Sequence, residues 1–496
     1  MSDHLPVLPL LIPLFAGLMI MLETRQRRRV RRFTGLAATV ALLPVTWLLW
    51  GQASVEEYRV YQLGNWPAPF GIVLILDRLA ALMLLITAIL AVPVYLYACR
   101  GDDGIGVNFH ALFQFLLLGV NGAFLTGDLF NLFVFFEVLL LSSYALLMHG
   151  HGPDRARAGL HYVILNLTGS AIFLFGLGLV YGATGTLNMA DVGRALAAGE
   201  VLQPALFAAA ISLLLVVFAL KAALLPLGFW LPAAYGAASP PVAAMFAIMS
   251  KVGLYAIWRL WSLVMESGEP ALAARLTPWL TALGLISMLV GSLGVLAATR
   301  LSSLASWLLL MSVGTLTVVL VQGDEAAWAA GLFYLLHSTW GVAALFLLAG
   351  LIARLRGPEA DYLRSGEPLP TSIAVTFLVV AVMLVGLPPL SGFLGKVLML
   401  ATLPLPAFWV LLLAGGLASL IALSRAGSTL FWRTEPARYA QRRSAAGLRS
   451  LLMLVAVCMT LVVFASGWLA ITQQVAEQLL QPDGYIEAVL PSGRAR

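Results

Sequence analysis

Along the chain, hydrophobic positions gather into runs of about 20 residues separated by short polar connections. A run of that length crosses ~30 Å of hydrocarbon as an α-helix. Period-two alternation is absent, and backbone groups in lipid must be satisfied within their own segment. Helices rather than a β-barrel are therefore predicted. The pattern predicts fourteen spans, at approximately 5–22, 33–50, 72–98, 108–125, 128–148, 160–183, 203–232, 239–265, 276–298, 303–321, 328–353, 371–400, 406–431 and 450–472. The polar stretches Gly51–Phe70, Gly357–Thr371, Arg433–Arg449 and the tail after Ile471 are short enough to be loops or ends, so no soluble domain is expected.

Composition agrees with this reading. Of 496 residues, 61% are hydrophobic and only 10% charged, against about 25% charged in soluble domains. The first apolar run, Leu5 to Met21, has no basic region before it, and the cluster "RQRRRVRR" follows it. That is the reverse of a signal peptide, so a retained first span is expected. With the N-terminus outside, the loops after odd-numbered spans hold eighteen arginines. The opposite side holds five: Arg59, Arg194, Arg275, Arg494 and Arg496. By the positive-inside rule the arginine-rich loops are cytoplasmic and both termini face out, as in a multi-pass protein of the bacterial inner membrane. The net charge of +6 thus reflects topology and gives no support to nucleic-acid binding. Cys99 and Cys458 lie in or beside apolar spans and suggest neither a disulfide framework nor a metal site.

The charges left inside the spans are the informative ones. The chain has three lysines, Lys221, Lys251 and Lys396, and all lie within apolar runs, while the loops use arginine. Arginine stays protonated, whereas a buried lysine shifts its pKa readily and can exchange a proton. Each intramembrane charge costs about 2.5–3.5 kcal/mol on insertion scales. Snorkelling or a structural ion pair would explain one such lysine; three together favour a proton path. Glu137, in "LFNLFVFFEVLL", is the matching carboxylate. Nine residues beyond Asp128 at ~1.5 Å each place it about 13 Å deep, near the midplane. Asp128 itself reads as an N-cap, and Asp77 and Arg78 as interfacial. His337 is central to the eleventh span and could relay a proton, although a lone helix histidine also fits simple hydrogen bonding.

Lys221 precedes "ALLPLGFWLP" and Lys396 ends "LPPLSGFLGK". Proline inside a helix removes a hydrogen bond and clashes with the preceding turn, so breaks are predicted at Pro226 and at Pro388–Pro389. Interrupted helices at corresponding positions point to a transport site. They fall in the seventh and twelfth spans, five apart, which predicts an inverted repeat. The expected divisions are N-terminal helices over 1–107, a first repeat over 108–265 and a second over 276–431. A loop, the last helix and the tail fill 432–496.

At "GDLFNLFVFFEVLLLSSYALL", "SPPVAAMFAIMSKVGLYAI" and "GLPPLSGFLGK" the chain resembles the proton-conducting membrane subunits shared by respiratory complex I and Mrp-type cation/proton antiporters. Within them it is most similar to the D subunits of Mrp (Pha, Mnh) antiporters. The resemblance implies an ion pair of Glu137 with Lys221, a connecting role for Lys251 and a terminal role for Lys396. It also implies assembly with other membrane subunits to exchange protons for Na⁺ or K⁺, with no cofactor. Two departures stand out: Val342 occupies a position where many relatives have lysine, and the tenth span lacks their polar residue near Met311. The alternative function is the proton-pumping arm of a complex I-like quinone reductase or a membrane hydrogenase. No haem, iron–sulfur or dinucleotide fingerprint occurs in the chain, so any redox step would lie elsewhere. A structural scaffold, in which the charges only hold helices together, is a third reading.

Overall fold

A computed structural model of the protein describes all residues except 1, 24, 26, 107, 151, 266–269, 323, 358–359, 434–446 and 491–496. The predicted loop arginines Arg438, Arg442 and Arg443, with Arg494 and Arg496, lie outside the described residues. The chain begins α1 (Leu8–Leu22) and α2 (Arg28–Glu56), then a hairpin of β1 (Arg59–Gln62) and β2 (Val73–Leu76). Next come α3 (Arg78–Ala98), α4 (Phe109–Leu125), α5 (Leu129–Leu147), α6 (Pro153–Thr184) and the short α7 (Met189–Ala197). The middle consists of α8 (Pro204–Ala222), α9 (Trp230–Ala237), α10 (Pro240–Met265), α11 (Pro270–Ala297), α12 (Leu301–Val321) and α13 (Glu325–Arg356). The last part holds α14 (Thr371–Val385), α15 (Ser391–Thr402), α16 (Pro406–Gly427), α17 (Leu448–Val463), α18 (Ala465–Leu479) and α19 (Pro482–Val489).

Among the described residues, eleven helices are long and apolar enough to cross a membrane, or twelve if the bent α17–α18 pair is one span. That is fewer than the fourteen predicted. The cause is length: α4 has 17 residues, and the predicted twelfth span divides into α14 and α15, with 15 and 12. Three other expectations need correction. Residues 73–76 do not begin a helix. They pair antiparallel with 59–62, and the third span starts only where Asp77 Oδ1 accepts from Ala80 N at 2.8 Å. The last span turns by 82° between α17 and α18. The tail beyond Ile471 is helical, completing α18 and forming α19, because its apolar positions pack back on the bundle through Val475, Leu479, Tyr485 and Val489.

Burial sorts the helices into centre and rim. The apolar windows of α10 and α13 are wholly buried and those of α3 and α12 nearly so, whereas those of α2, α6 and α16 are less than half buried. Lipid tails are as apolar as leucine, so helices in a bilayer associate by close packing rather than by a hydrophobic drive. The α11–α12 contact illustrates this. A Cβ on Gly284 would lie 2.9 Å from Gly314 O, and one on Gly314 2.6 Å from Gly284 O. Only hydrogen fits there.

Polar ties fix the bundle at both ends. On the arginine-rich side, Asp103 is enclosed in a 3₁₀ turn (Asp102–Gly104) between α3 and α4. It accepts from Arg28 at 2.7 Å and from Arg32 at 2.5 and 2.9 Å, with His110 Nε2 at 3.2 Å. Its neighbour Asp102 pairs with Arg354 at the end of α13. Cys99 Sγ, Asp103 and His110 also offer three potential metal ligands. With two guanidiniums already on the carboxylate, however, the chemistry is that of an ion-pair hub. On the opposite side Asp77 pairs with Arg259 of α10 at 2.6 Å, and both are buried.

Burial pushes the Asp103 carboxyl up, but hydrogen bonds from His110, Arg32 and Arg28 outweigh it and hold it well below the usual carboxylate range. A carboxyl depressed on folding stabilises above its unfolded pKa of about 3.9, and the contribution fades as pH falls through the lower folded value. Asp103→Asn should therefore lower the melting temperature of the purified protein at pH 7. The gap to wild type should hold from pH 8 to about pH 4 and narrow only below that.

Candidate functional site

The site begins where α8 stops. Ala223 takes a left-handed conformation at φ 65°, and the connection 223–229, which carries Pro226, leads into α9. Backbone freed by a break at membrane depth needs partners within the protein. Leu225 N donates to Ser287 Oγ of α11 at 2.9 Å, and Trp230 Nε1 donates to Leu220 O at 3.3 Å. Lys221 occupies the last turn of α8, where the negative end of the helix dipole favours a cation.

Glu137, half-buried on α5, accepts a short hydrogen bond from Ser170 Oγ of α6. Lys221 Nζ donates to the same Ser170 oxygen at 3.2 Å and lies 5.0 Å from the centre of the Phe136 ring. The structure thus sets a serine hydroxyl between carboxylate and ammonium, in place of the direct ion pair that the resemblance implied. The reason is packing: α6 lies against both α5 and α8, and its Ser170 reaches the carboxylate and the ammonium together.

Lys251 is fully buried on the unbroken α10 and donates to Ser312 Oγ of α12 at 2.9 Å. The broken end of α8 meets α10 two residues further on, where a Cβ on Gly253 would lie 2.5 Å from Ala222 N. The second break repeats the device of the first. Pro388 and Pro389 lie between α14 and α15, and Lys396 on α15 reaches back to donate to Val385 O, the last residue of α14, at 2.6 Å. His337 of α13 spans the same break, with Nδ1 3.0 Å from Ser391 Oγ at the start of α15. Val342 and Met311 are buried, and Ser292 Oγ lies 3.4 Å from Met311 Sδ.

The structure therefore joins Glu137 to Lys221 through Ser170, and brings His337 and Lys396 to one break. Among the described residues, no single hydrogen bond links any two of the three lysines. Ser170, Ser312 and Ser391 were missed from sequence. A serine in an apolar helix usually bonds to its own backbone, and here the only signal for Ser170 is its place in the polar run "NLTGS".

Residues 126–422, which contain all of these groups, match the family model described as NADH:quinone oxidoreductase/Mrp antiporter, transmembrane. The chain belongs to this family. Among the relatives that cover nearly its whole length are antiporter D subunits. The probable K⁺/H⁺ antiporter D subunit of Rhizobium meliloti (strain 1021) is 41% identical, over 99% of this chain and 98% of its own. The Na⁺/H⁺ antiporter D subunit of Alkalihalophilus pseudofirmus is 35% identical, over 98% and 99%. A chain in the solved Mrp complex from Dietzia sp. DQ12-45-1b superposes with a TM-score of 0.88 at 28% identity, covering 98% of this chain and 99% of that one.

In this family member the bridging hydroxyl is open to a direct spectroscopic check. The Glu137 carboxyl band, identified in the infrared by its loss in Glu137→Gln, should shift in Ser170→Ala, which removes the donor. It should stay in place in Ser170→Thr, which keeps it.

Proposed function

We propose that the chain is the proton-translocating D subunit of a multisubunit Na⁺ or K⁺/H⁺ antiporter, working with other membrane subunits. The observation that carries this reading is the Glu137–Ser170–Lys221 cluster at the broken end of α8. A carboxylate near an ammonium favours the charged form of both. Protonating Glu137 removes that support, and Lys221 then yields a proton toward Lys251 and on to Lys396. A Coulomb term of about 3 kcal/mol for charges ~5 Å apart, as across one hydroxyl, at an effective dielectric near 20 exceeds the ~2.3 kcal/mol that 100 mV supplies to one charge. Toggling the pair is therefore large enough to gate a proton step.

The reading extends to architecture. The arginine-rich face is cytoplasmic and both termini lie outside, by the positive-inside rule. Fourteen crossings follow if α4, the α14–α15 pair and the α17–α18 pair each traverse the bilayer. The residues 108–265 and 276–431 then form inverted repeats, each with one broken helix and one lysine at the break. A proton-pumping arm of a redox complex would use the same residues, but the full-length D-subunit relatives favour antiport.

The test uses everted vesicles carrying the complete complex. Adding Na⁺ or K⁺ should dissipate a preformed pH gradient, and Glu137→Gln or Lys221→Ala should reduce that response by at least about tenfold without loss of assembly. Full exchange in Glu137→Gln would overturn the proposal.

A further inference from the structure

One turn from Ser170 along α6, the buried side chain toward the arginine-rich face is Asn166, and the one toward the opposite face is Phe173. The cluster at Ser170 therefore has unlike sides. The turns fix which way each helix runs. Arg155, at the start of α6, donates to His149 O just beyond α5, and His149 Nε2 lies 2.9 Å from Asp102 O on the arginine-rich side. At the other end, Leu129 N donates to Leu187 O, and Leu202 N to Ala183 O. Phe133 and Phe136 on α5, Phe173 on α6 and Phe218 on α8 thus all lie between the Glu137–Ser170–Lys221 cluster and the face opposite the arginines.

These rings pack on one another. Phe173 meets Phe218 edge-on with centres 5.1 Å apart and Phe136 at 6.1 Å, while Phe136 and Phe218 stack at 6.2 Å. Phe133 adds a fourth ring, 5.6 Å from Phe173. Such spacings are the favoured ones for aromatic pairs. One buried ring from each of α5, α6 and α8 closes the seam between the three helices, and the Lys221 ammonium rests against it, 5.0 Å from the centre of Phe136.

Beyond the rings the opposite face is open. A cavity of about 1310 Å³ there is bordered by Asp128, Thr186 and Leu187, and so reaches the cap of α5. Glu137 is nine residues further along the helix, about 13 Å. The one buried polar side chain between them on α5, Asn131, is engaged with Thr126 Oγ1 at 2.9 Å. Protons move through water and hydroxyls, and a gap lined by apolar groups holds no water. We infer that Phe136, Phe173 and Phe218 form a dry seal between this cavity and the Glu137–Ser170–Lys221 site. With the seal in place a proton on Glu137 has no short way out along α5, and exchange has to go through Lys251. The inference rests on the transport reading above and names the residues that keep transport coupled.

The test uses everted vesicles carrying the whole complex, with a pH gradient imposed and no Na⁺ or K⁺ added. Alanine would leave an apolar gap that stays dry, so the informative changes are Phe173→Ser and Phe218→Ser, which open space and bring a hydroxyl. Each should speed the passive collapse of the gradient at least about fivefold, whereas Phe173→Leu and Phe218→Leu should stay within about twofold of wild type. Adding Glu137→Gln to Phe218→Ser should return the leak to the wild-type rate, because the leak passes through that carboxylate. Serine variants as tight as wild type in an assembled complex overturn the seal, and so does a leak that persists with Glu137→Gln. Normal cation-driven exchange in Glu137→Gln alone would mean instead that the transport reading itself has failed. Should the serine variants not assemble, labelling decides. With Cys99 and Cys458 changed to serine, Ser170→Cys should resist a membrane-impermeant cationic thiol reagent applied from the face opposite the arginines, and labelling from that face overturns the seal.

Discussion

An ammonium in the middle of a hydrocarbon slab is tolerated only where something replaces its water, and most of this architecture follows from that constraint. For Lys396 the replacement is a carbonyl at the end of a half-helix, Val385 O, and for Lys221, in the last turn of α8, it is the Ser170 hydroxyl and the face of Phe136. A continuous helix has no free carbonyl at its centre, so the contact made by Lys396 requires a break. Each break requires neighbours that satisfy the interrupted backbone, as Ser287 does for Leu225. Those neighbours must hold still, and among them are the most buried helices, α10 and α12 beside the first break and α13 beside the second. Lys251 shows the other solution: it sits on an unbroken helix and relies on a single hydroxyl, Ser312, in a fully enclosed position.

Rigidity of the surroundings comes from outside the hydrocarbon. The Asp103 turn gathers α2 and α4 directly, and through Asp102 and Arg354 it also holds the end of α13. On the other face the Asp77–Arg259 pair fixes α3 to α10. Removing one partner of such a buried pair leaves an uncompensated charge, at a cost of about 3–5 kcal/mol. The helices carrying Lys251 and His337, α10 and α13, are among those pinned in this way, so these side chains are held in fixed positions.

Much of this was legible in the sequence, because lipid makes charge conspicuous. Glu137 and three lysines in apolar runs, and prolines beside two of those lysines, needed no structure to single out. The hairpin was illegible for the opposite reason. "VLIL" is buried at every position, so its pattern matches an apolar helix start, and only pairing with Arg59–Gln62 makes it a strand. Span count suffered where breaks and bends shorten helices, as in α14 and α15. Ser170 and Ser391 were hidden because their importance lies in what faces them from other helices. Depth can be counted along a chain; the neighbour across a helix interface cannot.

The two breaks are alike in backbone and unlike in chemistry, and the difference bears on where control resides. At the first, a carboxylate and an ammonium share one hydroxyl, so protonating Glu137 changes the field on Lys221 directly. At the second, Lys396 rests on a backbone carbonyl, whose partial charge no proton can switch, and His337 faces a serine. Val342, five residues beyond His337 on α13, is buried and adds no charge there. A site with a switchable partner can gate, whereas one with a fixed partner can only receive and release. Under the transport function proposed above, control of the proton step rests with Glu137 and Lys221, and the second half responds to the charge it is handed.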